Sequence, residues 1–178
     1  RILDGEREAY YGVIGALNEV ATDHCGILDI GGGSTEVIVG KKHACLLTES
    51  LAIGSVAWRD RFFSNPPALA PELEQRMEAA VTAAQRVFEG FSPAINKLGW
   101  TESYASSGTI KMLAAICESE DHAVGQIRLQ VLRGLKTKLA TCIVRGTDLP
   151  AIKERRRDLL LSGWSVLVGL MQSYGIEM

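Results

Sequence analysis

A chain of 178 residues suits one domain or one compact half of a larger protein, and a hydrophobic content of 47% is ample for a buried core. Because 19 basic residues are nearly balanced by 21 acidic ones, bulk charge indicates neither a nucleic-acid partner nor a membrane surface. No apolar run reaches the length of a bilayer span, and we expect no signal peptide. We therefore expect no nucleic acid and no membrane among its partners.

The first predicted element is a helix over residues 5–17, which Asp4 can cap. Glu6 and Glu8 lie in its first turn, where acidic side chains favour the positive end of the helix dipole, so on composition alone Glu8 is an ordinary helix-stabilising residue. The chain opens on Arg1 directly before this helical pattern. That opening predicts a segment excised from a longer protein.

Residues 27–39 are the stretch around which the rest of the chain is organised. Two apolar runs rich in β-branched residues flank Gly31, Gly32 and Gly33, which predicts a strand, a tight loop and a second strand. Three residues without a Cβ let an outside group approach the backbone amides closely, and successive amides in such a turn form a concavity suited to phosphate. The glycines do not open a helix, as in the dinucleotide fingerprint, and the ending of a nucleoside-triphosphate P-loop is missing.

Polar side chains accompany this glycine loop. Ser34 and Thr35 add hydroxyl donors, while Asp29 precedes the loop and Glu36 follows it. The two carboxylates could hold a hydrated divalent cation or orient a water molecule. A glycine-rich hairpin by itself is more often only a turn, but this order of acid, strand, glycines, hydroxyls and acid is far more demanding.

The elements after the loop alternate between strand and helix patterns, which predicts an α/β layered domain around a small mixed sheet. Gly90 to Pro93 should close the long central helix. The predicted elements are a third strand over residues 44–49, a short helix over 56–63, a long helix from Pro71, a strand over 99–105, and helices over 110–117, 124–141 and 154–174.

A second natural anion site is predicted where the strand over residues 99–105 turns into the helix over 110–117. The turn contains Ser107, Gly108 and Thr109. Unpaired amides and the helix dipole point at such a turn, so an anion is favoured there.

Three further groups of residues are interpreted as structural or solvent-exposed and not as functional. The basic run from Lys153 to Arg157 could be a track for a chain of phosphates, because Arg pairs well with phosphate, but we favour a solvated helix start with i, i+4 pairing. The three histidines lack metal-ligand spacing. The cysteines lack CxxC spacing, so we expect neither zinc nor disulfides but reduced, inert core thiols in a cytoplasmic setting; they are Cys25, Cys45, Cys117 and Cys142.

The order Asp-Ile-Gly-Gly-Gly-Ser-Thr-Glu over residues 29–36 resembles the second phosphate loop of the sugar kinase, actin and heat-shock ATPase superfamily. More narrowly, it is similar to the signature of the exopolyphosphatase and guanosine pentaphosphate phosphohydrolase family. The resemblance covers essentially the whole chain and aligns with the family's second actin-like domain. It implies an α/β, ribonuclease H-like fold with a three-strand meander in a small mixed sheet and flanking helices. Residues 1–178 would then be one domain of a two-domain catalytic unit whose first domain is absent from this sequence.

The resemblance also implies roles for particular residues. Residues 5–9 are similar to the family's Gly-x-x-Glu-Ala segment, which makes Glu8 the proposed general base, although Arg7 stands where another Glu is frequent. The backbone of residues 31–34 would cradle phosphate, and Asp29 and Glu36 would lie near magnesium and the nucleophilic water.

The resemblance extends to the later part of the chain. The turn of Ser107, Gly108 and Thr109 would face the same cleft and help bind phosphate. Gly54, Arg156 and Gly163 also fall where the family has similar residues, and we use them as support for the fold only.

These features imply a hydrolase that releases terminal phosphate from inorganic polyphosphate or guanosine pentaphosphate with Mg2+ as cofactor. Two alternatives remain: a family member that binds polyphosphate or a guanine alarmone and regulates without cleaving it, and, less favoured, an ATP-dependent kinase. The expected partners are the substrate, the first domain of the same protein and, from the family tendency, a second copy in a homodimer. We expect the isolated segment to fold but to hydrolyse polyphosphate poorly or not at all.

Overall fold

The structure, a computed structural model, describes residues 24–41, 44–119, 124–147 and 154–178. The predicted helix over residues 5–17, which carries Glu8, lies outside the described residues. Within the described ranges the chain forms one four-stranded sheet flanked by helices. In this part of the chain, no helix combines the length and the apolar character needed to cross a membrane.

The sheet has the strand order β3-β2-β1-β4. Strands β1 (His24–Ile30), β2 (Thr35–Lys41) and β3 (Ala44–Leu51) pair antiparallel and form the predicted meander, whereas β4 (Glu102–Ser106) pairs parallel with β1. Strand β4 is shorter than the predicted strand over residues 99–105, because Gly99 adopts a left-handed φ of 61° and caps the preceding helix.

The helices mostly follow the sequence pattern, with three differences. The predicted helix over residues 154–174 begins as a 3-10 helix and becomes an α-helix only at Leu160. A short helix follows the long one directly, because Pro93 lies in its first turn and starts a helix rather than closing the previous one. The predicted helix over residues 124–141 is two helices that meet at Leu135 and begin only at Leu129. The helices are α1 (Ser55–Phe62), α2 (Ala70–Glu89), α3 (Ser92–Leu98), α4 (Gly108–Glu118), α5 (Leu129–Gly134), α6 (Lys136–Arg145) and, after a 3-10 helix (Glu154–Leu159), α7 (Leu160–Ser173).

The core lies around α7, which packs along α2. Every residue from 160 to 171 in α7 is buried, as expected for a helix at the centre of a domain rather than at its surface. Gly169 lets the two helices approach closely, since a Cβ there would lie 2.7 Å from the Cβ of Ala84. The indole of Trp164 donates to the carbonyl of Leu132 at 2.6 Å, so its one polar atom is satisfied inside the core.

The four cysteines are free thiols, as expected. Cys25 and Cys117 are buried core residues, and burial raises the pKa of the Cys25 thiol above its ordinary value. The prediction of a core position is wrong for Cys45, which is exposed because β3 is an edge strand with one side open to solvent.

Candidate active site

The sheet topology brings the two predicted anion sites to the same edge of the sheet. Strands β1 and β4 run parallel with Asp29 opposite Ser106, so both strands end together. The glycine loop (residues 31–34) follows β1, and the turn that begins α4 follows β4. Ligands of open α/β sheets bind at such carboxyl ends of strands. The predicted phosphate-binding segments are therefore neighbours in space although more than 70 residues separate Ser34 from Ser107 in the sequence.

The glycine loop is held from behind by the start of α1. The amides of Ser55 and Val56 donate to the carbonyls of Gly31 and Gly32, both at 2.9 Å. These first amides of a helix have no partner within the helix, so the loop carbonyls cap α1 in place of a side chain. Inside the loop, the Gly31 amide donates to the Ser34 carbonyl at 2.9 Å.

In a trans peptide the C=O and N–H groups point in opposite directions, so the carbonyls of Gly31 and Gly32 that face α1 leave the amides of the next residues on the other side of the loop. Among the described residues, the amides of Gly32, Gly33 and Ser34 donate to no backbone or side-chain acceptor. Gly32 and Gly33 are exposed and Ser34 is half-buried, so the loop is open to an outside group. The positive end of the α1 dipole lies directly behind it. The loop therefore presents amide donors on a positive background, which suits an anion, and phosphate binding by these residues stays a prediction.

Gly54 allows this close packing of α1 on the loop. It has an extended backbone with φ of −151°, which any residue can adopt, so the constraint is one of space. A Cβ at this position would lie 2.5 Å from the carbonyl carbon of Gly32 and 2.7 Å from the amide nitrogen of Gly33. From the sequence, Gly54 supports only the fold assignment, whereas in the structure it packs against the backbone of the candidate site.

A row of polar side chains crosses the sheet beside the loop. Ser50, Glu36, Asp29 and Ser106 lie opposite one another on β3, β2, β1 and β4, and register partners project from the same face of a sheet. We refer to these four residues as the polar row. Within it, one carboxylate oxygen of Glu36, Oε1, accepts the hydroxyl of Ser34 at 2.6 Å and that of Ser50 at 2.9 Å.

The polar row contains the two carboxylates proposed to hold magnesium. Asp29 and Glu36 are both half-buried, and like charges directly opposite in an antiparallel pair repel each other. A cation between them would remove that repulsion. Mg2+ is commonly bound by one or two carboxylates together with waters and substrate phosphates, so a pair of acids suits it. In the described ranges no group of three or more His, Cys, Asp or Glu side chains forms that could hold a metal ion, and magnesium binding by Asp29 and Glu36 stays a prediction.

The second turn has an unusual backbone. Ser107 is the one described non-glycine residue with positive φ, at φ 139° and ψ 169°, a region that costs about 1–3 kcal/mol for a residue with a Cβ. Its hydroxyl caps α4 by accepting the Ile110 amide at 3.1 Å. Ser107 and Gly108 are half-buried, whereas Thr109 is buried with its methyl group against Gly163. The structure thus places the turn beside the glycine loop, and the phosphate-binding roles of its residues remain predictions.

The described part of the basic run makes structural contacts. Arg157 donates from Nη2 to the carbonyls of Cys142 and Thr147, at 3.1 Å and 2.6 Å. Asp158, which follows the run, forms a salt bridge with Arg59 of α1. These contacts favour a structural role for Arg157 over membership of a polyphosphate track.

Comparison with known proteins identifies the family. The sequence model of the Ppx/GppA phosphatase family matches residues 1–177. The guanosine-5'-triphosphate,3'-diphosphate pyrophosphatase of Pseudoalteromonas translucida is 31% identical over 181 residues, and the protein of that name from Photobacterium profundum is 30% identical over 183 residues. Each alignment covers 99% of this chain and 35% of the relative, so the chain spans about a third of the length of these curated relatives.

Solved structures show the same fold. The crystal structure of the Aquifex aeolicus member of the Ppx/GppA family matches with a TM-score of 0.78 at 18% identity, over 97% of this chain and 56% of that one. An exopolyphosphatase from Cytophaga hutchinsonii matches with a TM-score of 0.69 at 24% identity, over 96% and 57% of the two chains. The predicted actin-like α/β architecture is confirmed, and this chain belongs to the Ppx/GppA phosphatase family.

Proposed function

We propose that this chain is one domain of a phosphoanhydride hydrolase that releases terminal phosphate from inorganic polyphosphate or guanosine pentaphosphate. The observation that carries the proposal is the orientation of the glycine loop. The carbonyls of Gly31 and Gly32 accept hydrogen bonds from α1, so the amides of Gly32 and Gly33, on the opposite side of the same trans peptides, point away from α1. This loop joins the two strands that carry Asp29 and Glu36. Membership of the Ppx/GppA family, and the name shared by the relatives in Pseudoalteromonas and Photobacterium, support the same reaction class.

The loop amides would bind the oxygens of the terminal phosphoryl group. In phosphoryl transfer, negative charge spreads over these oxygens, and catalysis consists largely of positioning and electrostatic stabilisation. Donors that are already fixed in place need no reorganisation when that charge develops. The hydrogen bonds from Ser55 and Val56 to the carbonyls of Gly31 and Gly32 fix the peptide units that contain the amides of Gly32 and Gly33 in this way.

Water would attack the terminal phosphorus as the bridging P–O bond breaks, and the shortened phosphate chain would leave with the electron pair of that bond. Glu8 would accept the proton of the attacking water, a role that rests on the family resemblance because Glu8 lies outside the described residues. Acid–base help of this kind is typically worth about 100- to 10,000-fold in rate. Asp29 and Glu36 would hold Mg2+, which when bound supplies charge neutralisation at the phosphoryl oxygens.

The openness of the loop supports a two-domain catalytic unit. Gly32 and Gly33 lie on exposed surface. A cavity of about 660 Å³ lies along β4, and none of residues 31–34 lines it. A phosphoryl group bound to an open surface stays in contact with bulk water, which weakens the electrostatic stabilisation that the reaction needs. We propose that a first domain of the same protein covers the loop from the other side. The isolated chain should then hydrolyse polyphosphate poorly or not at all.

The proposal is tested by phosphate release from polyphosphate and from guanosine pentaphosphate, with and without magnesium, in the full-length protein. Glu8→Gln should abolish hydrolysis while substrate binding is retained. Glu6→Gln is the matched control, since it removes the same charge from the same predicted turn without touching the proposed base. A wild-type protein that binds either compound without turnover would instead be a regulatory binder, and release of ADP only with an acceptor present would indicate a kinase.

A further inference from the structure

Ser50 is a member of the polar row to which neither the family resemblance nor the proposed reaction assigns a task. It lies on β3 directly opposite Glu36 on β2, and its hydroxyl donates to Oε1 of that carboxylate at 2.9 Å. Ser34, at the end of the glycine loop, donates to the same oxygen at 2.6 Å. Among the described residues, the second oxygen, Oε2, accepts no hydrogen bond.

Two hydroxyls on one oxygen fix the orientation of the carboxylate. A glutamate side chain has three rotatable bonds, and a single contact leaves it free to swing. Here the contacts come from two different elements, one from the loop and one from the neighbouring strand. With Oε1 held in this way, Oε2 remains available for the water or the hydrated cation that the proposed reaction places beside Asp29.

The two serines differ in what happens when substrate arrives. A hydroxyl has one proton to donate, so Ser34 cannot donate to Glu36 and to a phosphoryl oxygen at the same time. The Ser34 hydroxyl belongs to the proposed phosphate cradle, where substrate would compete for its proton. Ser50 lies on β3 outside the loop, and its hydrogen bond to Glu36 does not involve the Ser34 hydroxyl, so it is independent of that competition. Supporting groups on rigid elements are the ones that keep a site in its productive geometry.

We propose that Ser50 is a positioning residue of the active site. It holds Oε1 of Glu36 while the substrate takes the Ser34 hydroxyl, so that Oε2 keeps its place during turnover. The inference rests on the proposed function and adds to it a residue that acts through Glu36 without touching the substrate.

The test compares Ser50→Ala, Ser50→Thr and Thr48→Ala in the full-length protein, with steady-state phosphate release and thermal unfolding measured for each. Thr48 is the matched control because it lies two residues earlier on β3, is likewise exposed, and has its hydroxyl beside Sγ of Cys45 at 3.1 Å rather than beside Glu36. Ser50→Ala should lower kcat about tenfold, the size expected for the loss of one hydrogen bond to a charged group. KM should stay within about twofold, since Ser50 makes no contact with substrate in this scheme.

Ser50→Thr keeps the hydroxyl and should restore kcat to within about threefold of the wild type, while Thr48→Ala should leave both constants unchanged. Equal melting temperatures of the two alanine variants would show that the kcat effect is not a loss of folding. If Ser50→Ala behaves like Thr48→Ala in an active protein, or raises KM at constant kcat, the positioning role is overturned and the proposed function stands. If the wild-type protein itself releases no phosphate, the proposed function and this inference are both overturned.

Discussion

Replacing Gly54 by alanine would push a methyl group into the back of the glycine loop. The new Cβ would lie 2.5 Å from the carbonyl carbon of Gly32, whereas ordinary contacts begin near 3.4 Å, so the backbones must separate by about 0.9 Å (3.4 minus 2.5). The atoms in contact are main-chain atoms tied to Ser55 and Val56, so no flexible side chain can move aside. Overpacking of this kind typically costs about 1–3 kcal/mol of unfolding free energy.

The same displacement should lower the rate of phosphate release by more than the loss of unfolding free energy alone would. A shift of roughly 1 Å in groups that position the reacting atoms can cost about 100-fold in rate, so kcat/KM for phosphate release should fall by about that factor in the full-length protein. Gly134→Ala is the control, because a Cβ there meets nothing within 4 Å and the residue ends α5. Urea denaturation and phosphate release would be measured for both variants. If Gly54→Ala matches Gly134→Ala within twofold in kcat/KM and within about 0.5 kcal/mol in stability, the packing of α1 does not hold the loop.

Three further predictions concern the second turn and the core. Ser107→Gly should raise the unfolding free energy by about 1 kcal/mol, because glycine removes a backbone strain of about 1–3 kcal/mol and loses only a few tenths of a kcal/mol as an N-cap. Ser107→Ala should lower the unfolding free energy by about 1 kcal/mol. If both variants are less stable than the wild type in urea titrations, the strain at Ser107 is contradicted. Gly163→Ala should lower the unfolding free energy by about 1–3 kcal/mol, because its Cβ would meet the methyl group of Thr109. Adding Thr109→Ser, which lacks that methyl group, should recover most of the loss in a double-mutant cycle. Additive effects of the two substitutions would refute the contact. Burial raises the pKa of Tyr174 above its ordinary value, so the unfolded chain ionises first and stability should fall as the pH rises above about 10. Tyr174→Phe should lessen that fall in urea titrations across the alkaline range. An unchanged dependence of stability on pH would contradict the role of Tyr174.

The parts of the fold that depend on local pattern could be predicted from the sequence. The hairpin of β1 and β2 follows from two β-branched runs around three glycines, and Pro71 marks the first turn of the long helix α2. The start of α3 was missed because Pro93 was interpreted as the end of α2, although a proline in a first turn equally begins a helix.

The contacts that shape the candidate site depend on the register of distant residues. Ser50 meets Glu36 across 14 residues of sequence, and Gly54 packs against Gly32 across 22, because β3 and α1 return to the loop. No sequence pattern within β3 or α1 predicts either of these contacts. The glycine loop itself could be predicted because its chemistry lies in consecutive residues, whereas the groups that hold it in place come from elsewhere in the chain.

The most direct measurement is a titration of the isotope-labelled full-length protein with tripolyphosphate in magnesium buffer, followed through the chemical shifts of its backbone amides. The protein carries Glu8→Gln, so that the ligand is bound without being hydrolysed. If the glycine loop receives a phosphoryl group, the amides of Gly32, Gly33 and Ser34 should show the largest shifts, and Gly54→Ala should reduce them while Gly134→Ala leaves them unchanged. Saturating shifts elsewhere, for example around Arg157, with the three loop amides unmoved, would contradict the proposed phosphate site.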